Sequence, residues 1–560
     1  MNPSESRPTP LGFTGWLVLI IASIGFLFDT YELLMTPLVG VPAIAELLKL
    51  PPNHPRVTEW MGRMLWMTAL CGGVFGLLGG WLIDRFGRKR ILAASIFVYA
   101  FSPFSAAFST TLLMFVIFRC TTFIGVCVEF IAAITWLAEL FPERKRKERA
   151  LGWTQAFASL GGVAVTSVAA WINIHAASLP TLPVPDLFNA HAGWRYLLIT
   201  GLIPALPIAL MLPFVPESRV WLEKRATGAL KRPSVAALFT PELRRVTLVT
   251  AALSACAYAG AFGALQITTR SVVPGLNELA SAQSELAPLR AEAAKLNADL
   301  DQITPAYRKA LNDVPGLEQL AVQRANNRRD FRAATKASNT NAIASLNADF
   351  KSLGTKLDEL TASKPQSKQA LIDREKILKA LGDNRDKQTP ANNAITARGD
   401  RIQLSQEFGG LAGRALLAVL VVLAITRRTL LRIFIVPGLI ALPVTYFCLY
   451  HSTSSAFAAG IFISGLLIVG QFSYFGEYLP KAFPLHLRGT GGSFATNVGG
   501  RMIGTSAAFL TTNVIAPLLA SKPSADDYAM AAGIVGLSVF VIGFVLTFVL
   551  PEPPAEETRD

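Results

Sequence analysis

The stretch Gly80-Trp-Leu-Ile-Asp84-Arg85-Phe-Gly87-Arg88-Lys89-Arg90 lies between two long apolar runs. It places one acid and four bases beside glycines in a short polar break. Basic residues gather in loops on the cytoplasmic side of a membrane, next to the ends of spanning helices. The stretch therefore predicts a loop at a membrane surface, with one spanning helix before it and another after it.

The composition agrees with a membrane protein. The 560 residues are 52% hydrophobic and only 16% charged, with a mean hydropathy of +0.42, whereas soluble domains carry about 25% charged residues. Runs such as Leu11–Leu27, Ile91–Phe108 and Met530–Leu550 are long enough to cross a bilayer, which takes about 20 helical residues. Basic loops that orient helices explain the net charge of +14, so nucleic-acid binding is not indicated.

We predict an all-α polytopic protein with about twelve transmembrane helices in two six-helix bundles. The spans are roughly 11–36, 60–83, 91–109, 111–139, 150–172, 194–215, 246–268, 407–426, 430–450, 455–478, 489–517 and 528–550. Basic clusters follow the even-numbered spans two, four, six and eight. The positive-inside rule then predicts a multi-pass protein of the plasma (inner) membrane with both termini in the cytoplasm.

The predicted spans divide the chain into consecutive regions. These are an N-terminal six-helix bundle at 1–218, a cytoplasmic linker at 219–245, the seventh transmembrane helix at 246–269, an extracytoplasmic insertion at 270–405, helices eight to twelve at 406–550 and a cytoplasmic tail at 551–560.

Two short sequence similarities relate the two halves of the chain. Gly72-Gly73-Val-Phe-Gly76 matches Gly409-Gly410-Leu-Ala-Gly413, and Phe141-Pro142 matches Phe483-Pro484. Val421 stands where a second copy of Asp84 would be expected. Repeated six-helix units of this kind are the parallel-repeat plan of facilitator-type transporters.

The insertion at 270–405 is polar and carries charges of both signs. Apolar residues recur in it at steps of three and four, for example at Leu346, Phe350, Leu353 and Leu357. This spacing predicts coiled-coil helices that fold back as a hairpin or small bundle. Prolines should kink or separate these helices, at Pro288, Pro305, Pro315, Pro365 and Pro390. The insertion is interpreted either as a spacer or as a stalk that docks a protein partner.

The loop pattern Gly80-x-x-x-Asp84-Arg85-x-Gly87-Arg88-Lys89 resembles the signature loop of the major facilitator superfamily. The likeness covers all the spans but not the insertion. Pro216-Glu217-Ser218-Arg219 is similar to a motif of the sugar porters and several organic-ion groups. By motif the chain is nearest to proton symporters of organic acids, sialate and aromatic acids, and to sugar-porter-like groups.

The resemblance implies a cytoplasmic gate between the halves, formed by Gly80, Asp84, Arg85, Gly87 and Arg88. A carboxylate is stabilised at the positive end of a helix dipole. The helix that begins near Gly489 is therefore the expected neighbour of Asp84.

Charged residues inside the first-half spans are candidates for proton coupling, namely Asp29, Glu32, Arg119 and Glu129. A charge at bilayer depth is costly and usually faces a cavity or a partner. A carboxylate that loses water binds a proton more readily, and a nearby arginine opposes this. We predict Asp29 as the main protonation site and Arg119 as its partner. The alternatives to a role in proton coupling are that Arg119 forms a purely structural ion pair, and that Asp29 and Glu32 line a water-filled mouth of the protein.

Arg501 and Asn497, four residues apart on one helix face, are the main candidates for holding an anionic substrate. A guanidinium pairs with a carboxylate through two parallel hydrogen bonds. Further candidates for the substrate site are Tyr474, Glu477, Gln266 and Gln155. Glu407 and Glu477 are also candidates for neutralising the two second-half arginines, Arg414 and Arg501.

The leading hypothesis is a secondary active transporter that takes up a small organic carboxylate with protons by alternating access. The alternatives are a sugar or polyol porter, and a degenerate transporter that acts as a sensor or scaffold through its insertion. The expected partners are a small substrate, protons and the lipid bilayer, with the insertion as a candidate contact for a protein. No catalytic residues, metal site, cofactor or nucleic-acid partner are predicted.

Overall fold

The computed structural model describes residues 12–52, 54–141, 143–185, 188–203, 205–336, 338–423 and 426–553. Most of the tail predicted at 551–560 lies outside the described residues, as does the start of the N-terminal bundle. The fold is helical throughout the described part of the chain.

The first half contains nine α-helices in the described residues. They are α1 (Phe13–Leu48), α2 (Pro55–Phe86), α3 (Arg88–Ala106), α4 (Leu112–Leu140), α5 (Arg144–Ala156), α6 (Ala158–His175), α7 (Gly193–Thr200), α8 (Ala205–Met211) and α9 (Arg219–Ala226). The helix N-termini at His54 and Thr111 are capped by side chains that accept a backbone N–H, which satisfies a donor that has no partner inside the helix.

The second half and the insertion follow. Their α-helices are α10 (Arg244–Gly260), α11 (Ala280–Asp313), α12 (Leu317–Lys336), α13 (Thr340–Leu360), α14 (Pro365–Leu420), α15 (Arg427–Pro443), α16 (Ser454–Ala482), α17 (Arg488–Ser493), α18 (Ala507–Leu510), α19 (Ala516–Leu519) and α20 (Ala525–Val549). Several spans also contain π-helical turns, of which the longest is Phe494–Gly504.

Nine helices are long and apolar enough to cross a membrane, counted over the described residues. Three of the twelve predicted spans are not among them. The third corresponds to α3, which begins with three bases. The sixth is divided between α7 and α8, and the eighth is the apolar end of the mostly polar helix α14. The total of twelve transmembrane helices therefore stays a prediction.

The glycine motifs that the two halves share lie at equivalent contacts between helices. In the first half α2 packs against α4, and in the second half α14 packs against α16. A Cβ atom at Gly72 would meet Phe123 and Cys127 on α4, whereas one at Gly409 or Gly413 would meet backbone atoms of α16. Small residues allow membrane helices to approach this closely.

The insertion is formed by α11, α12, α13 and the first part of α14. Helix α11 packs on α14, and α12 packs on α13. A coiled-coil seam stays a prediction. Pro315 and Pro365 lie where helices are separated, before α12 and at the start of α14, whereas Pro288, Pro305 and Pro390 lie inside α11 and α14 and do not separate helices. A kink at these three prolines stays a prediction. Packing between these long helices offsets the hydrogen bond that each proline removes.

Candidate functional site

Asp84, near the end of α2, joins the two halves. One oxygen, Oδ1, accepts the backbone N–H of Gly489 at 2.9 Å. The other, Oδ2, accepts the N–H and the hydroxyl of Thr490 at 2.7 and 2.8 Å. The carboxylate is fully buried at the start of α17, where backbone N–H groups have no partner inside the helix and the dipole favours negative charge.

Gly80 makes the close approach of α2 and α17 possible. A Cβ atom at Gly80 would meet the carbonyl oxygen of Gly489 and the side chain of Ser493, whose hydroxyl donates to the carbonyl of Gly76 at 2.7 Å. A larger residue at position 80 would therefore separate the halves at this point.

We expect Gly80→Ala to lower the thermal unfolding midpoint of the purified protein, because overpacking a close contact costs about 1–3 kcal/mol. Gly62→Ala in the same helix is the matched control, since nothing lies within 4 Å of a Cβ at that position. That control should be neutral or stabilising by about 0.5–1 kcal/mol. Equal midpoints for the two variants would contradict the contact described for Gly80.

Arg88 lies at the centre of a buried charge network beside Asp84. Its Nε donates to Glu139 at 3.0 Å, and its Nη2 donates to Glu139 and to the carbonyl of Leu485 at 2.7 Å. Glu217 accepts the backbone N–H groups of Arg88 and Lys89 at 3.1 Å. The network therefore connects α3 and α4 with the segment after α8 and with the second half.

Gly87 and Arg85, the remaining residues of the predicted gate, have different surroundings. Gly87 adopts φ +108°, and a Cβ there would meet the Glu217 carboxylate, so the position requires glycine. Arg85 is exposed, and its guanidinium lies 5.0 Å from the ring centroid of Trp81. Arg85 therefore lies outside the buried network of Asp84 and Arg88.

The second half repeats part of this network. Glu552 accepts the backbone N–H groups of Arg427 and Arg428 at 3.0 and 2.9 Å, as Glu217 does for Arg88 and Lys89. Sequence reasoning missed this pair, although each glutamate follows a proline, in Pro216-Glu217 and Pro551-Glu552.

Glu477, predicted near the substrate, belongs to this second network. Its carboxylate lies 3.2 Å from Arg427 and also pairs with Lys481. Glu148 of α5 contacts the same two bases. The structure thus places Glu477 in a cluster of ion pairs rather than beside Arg501, because it lies near the end of α16, where α15 begins with Arg427.

Asp29 and Arg501 face each other across the two halves. The Nη2 atom of Arg501 lies 3.3 Å from Oδ2 of Asp29, and its Nη1 atom lies 3.4 Å from Oδ1 of Asn497. The guanidinium is 5.6 Å from the ring centroid of Phe130. Arg501 lies in the π-helical segment Phe494–Gly504, and such segments are frequent at functional sites.

Arg119 pairs with Glu32, and not with Asp29 as predicted. Its Nη1 lies 3.6 Å from Oε2 of Glu32, while its Nη2 donates to the hydroxyl of Thr36 at 2.5 Å and to the backbone carbonyl of Glu32 at 3.2 Å. Asp29 and Glu32 are three residues apart, yet each pairs with a different arginine. The second-half Arg501 occupies the place beside Asp29 that the sequence assigned to Arg119.

Glu129, on α4, is a further buried carboxylate of the first half. It packs against α1, where a Cβ at Gly25 would meet its Oε1 atom. Its Oε2 atom has no hydrogen-bond partner among the described residues. The structure therefore brings Glu129 to the same helix that carries Asp29 and Glu32.

The remaining substrate candidates lie at separate places. Gln155 packs against Gly476, and its backbone carbonyl accepts from Nη1 of Arg414 at 2.7 Å. Tyr474 is buried with its ring stacked on Tyr478 at 5.5 Å. Gln266 is half-buried between two π-helical turns. Arg414, on the membrane part of α14, is a half-buried charge and one of the second-half arginines that the sequence interpretation singled out.

Metal-ligating side chains do not gather anywhere in the described part of the chain: no group of three or more His, Cys, Asp or Glu residues could hold an ion there. The chemistry of the region is that of paired carboxylates and guanidinium groups, which can exchange partners with protons and with anions.

Comparison with known proteins agrees with this arrangement. The family model described as Major Facilitator Superfamily matches residues 11–284. The cis,cis-muconate transport protein of Acinetobacter baylyi is 30% identical over 198 residues, which cover 34% of this chain and 44% of that protein. The arabinose-proton symporter of Bacillus subtilis is 29% identical over 178 residues, covering 31% and 36% of the two chains.

Solved structures show a similar fold over nearly the whole length. The proton:xylose symporter XylE bound to 6-bromo-6-deoxy-D-glucose superposes with a TM-score of 0.57 at 15% identity, covering 96% of each chain. The sequence matches to the curated relatives, by contrast, span less than half of those proteins.

Proposed function

This chain belongs to the Major Facilitator Superfamily, and we propose that it is a secondary active transporter that takes up a small organic carboxylate together with protons. The family and the fold are those of transporters rather than of enzymes. Several apolar helices make it a multi-pass membrane protein. We place it in the plasma membrane with the Asp84 end of the bundle facing the cytoplasm.

The observation that carries this proposal is the ion pair between Asp29 and Arg501. Arg501 also lies beside Asn497 and two phenylalanine rings, Phe123 and Phe130. A carboxylate substrate can replace Asp29 on the guanidinium only if Asp29 gives up the pairing. Protonation of Asp29 removes its charge and frees Arg501, so proton binding and anion binding favour each other.

The pair also links coupling to the position of the halves. Asp29 belongs to α1 and Arg501 to the second half, so a movement of one half against the other changes their separation. After the transporter has released both proton and substrate, Asp29 and Arg501 pair again. The empty transporter can then return through its closed state. Alternating access around a central site of this kind is the usual behaviour of such repeats.

Glu32, Arg119 and Glu129 take a supporting role in this proposal. Arg119 holds α4 to α1 through Glu32 and Thr36, and it keeps the Glu32 charge compensated. Glu129 approaches the same helix near Gly25. Removing one partner of a buried ion pair strongly destabilises a folded protein. These residues therefore fix the position of α1, which carries Asp29.

The test is uptake by the purified protein in liposomes under an imposed pH gradient. The panel contains monocarboxylates, dicarboxylates, aromatic acids and sugars, because the relatives include a muconate transport protein and an arabinose-proton symporter. We expect accumulation of at least one carboxylate, and its loss with a protonophore. Sugar uptake without any carboxylate uptake, or uptake that ignores the pH gradient, would overturn the proposal. Vesicles without protein are the control.

A further inference from the structure

The insertion is firmly attached to the second half. Helix α14 runs without interruption from the insertion at Pro365 to the membrane part at Leu420, over 56 residues. Where the insertion joins the second half, Glu278 accepts a hydrogen bond from the hydroxyl of Ser454 at 2.6 Å and pairs with Arg398. A tilt of the membrane part of α14 must therefore move the insertion with it.

The insertion also contacts the first half, at Lys49, Leu50 and His54 between α1 and α2. The ammonium group of Lys49 lies 2.7 Å from Glu318 of α12, and Arg374 of α14 donates to the backbone carbonyl of Lys49 at 2.9 Å. These two contacts hold the end of α1 between two helices of the insertion.

Two more contacts extend this surface. Leu50 packs against the cluster of Ala293, Leu300 and Leu381, which belong to α11 and α14. The Nε2 atom of His54, a buried ring, lies 3.3 Å from Oδ1 of Asp301 on α11. Apolar and polar contacts therefore combine on both sides of the connection between α1 and α2.

This contact lies at the end of the molecule opposite Asp84. Helix α2 begins at Pro55, next to the insertion contact, and reaches Asp84 only near its far end. Asp84 lies 29 residues after Pro55 in α2, which at 1.5 Å per residue separates the two contacts by about 44 Å. The two halves are thus joined at both ends, by α2 and α17 at one end and by the insertion at the other.

We propose that the insertion is a strap that holds the two halves together at the end opposite Asp84 and releases Lys49, Leu50 and His54 whenever that end opens. The idea uses the alternating movement of the proposed function but not its substrate. Its ion pair between Lys49 and Glu318 is exposed, and exposed ion pairs are individually weak. Such a surface can form and release repeatedly, whereas a large apolar interface would fix the halves permanently.

The strap is tested by hydrogen–deuterium exchange of the full-length protein in lipid nanodiscs, without any substrate. Lys49→Glu places a negative charge against Glu318. We expect amide exchange to rise about threefold in residues 37–50 and 264–276; these two segments are joined by Arg270, which donates to the carbonyl of Pro37 at 3.3 Å. The charge-swapped double variant Lys49→Glu with Glu318→Lys should restore the original rates.

Lys368→Glu is the matched control, because it disrupts an equally exposed pair with Asp358 inside the insertion, at 2.8 Å. It should leave exchange in those two segments unchanged. A rise of equal size in the control, no rise in Lys49→Glu, or no recovery in the double variant would overturn the strap. Failure of the uptake assay would leave these exchange results unaffected, so the two proposals fail separately.

Discussion

Asp29→Asn is expected to abolish accumulation of substrate under a pH gradient while retaining exchange of substrate across the membrane. Asparagine cannot release a proton, and it leaves the Arg501 guanidinium without its carboxylate. Removing one partner of a buried pair costs about 3–5 kcal/mol, which corresponds to a factor of about 100 or more in rate. Liposome uptake of the carboxylate identified in the panel measures accumulation, and counterflow in preloaded liposomes measures exchange.

Glu59→Gln provides the comparison for this variant. Glu59 forms an exposed pair with Arg63 on α2, at 2.5 Å, and both side chains are about half exposed. Loss of such a pair changes little, so accumulation should remain near the original level. If Asp29→Asn accumulated substrate as well as Glu59→Gln did, Asp29 would have no part in coupling.

Asp84→Ala should weaken the closed arrangement at the Asp84 end of the bundle. The variant loses three hydrogen bonds to Gly489 and Thr490. Hydrogen bonds to a charged acceptor contribute about 1.5–3 kcal/mol each, so the loss is large compared with a typical conformational equilibrium of a few kcal/mol. Amide exchange in residues 488–493 should rise by about 100-fold.

Thr490→Val is the graded counterpart, because it removes the hydroxyl but retains both backbone N–H groups that Asp84 accepts. Its effect on exchange in 488–493 should be clearly smaller than that of Asp84→Ala. Unchanged protection of these amides in Asp84→Ala would show that the carboxylate does not hold α17 in place.

The position of Asp84 could be inferred from sequence because it depends on a local rule. A buried carboxylate needs donors, and a helix N-terminus supplies them. Only one helix begins near Gly489, and the structure places Asp84 there. The same local reasoning predicted a helical insertion, since the spacing of Leu346, Phe350 and Leu353 is helical.

The charge pairs could not be inferred in the same way. Asp29 and Arg501 are 472 positions apart, and their encounter depends on how the two halves of the chain pack. Spacing identifies which residues share a helix face, but it does not identify the helix that faces them. The sequence therefore offered Arg119 as a partner for Asp29 when Glu32, one turn away, was the residue that Arg119 reaches.

The prolines of the insertion illustrate a different difficulty. Propensity describes an isolated helix, in which an interior proline is strongly unfavourable. In α11 and α14 two long helices pack against each other, and this tertiary packing overrides the local preference at Pro288, Pro305 and Pro390.

Glu552 has a practical consequence for protein production. Its carboxylate accepts two successive backbone N–H groups at the start of α15, eight residues before the C-terminus of the chain. A protein shortened after Leu550, or carrying an affinity tag fused directly at that point, would leave these donors uncapped. Expression vectors should therefore keep Pro551-Glu552-Pro553 and attach any tag downstream of residue 560.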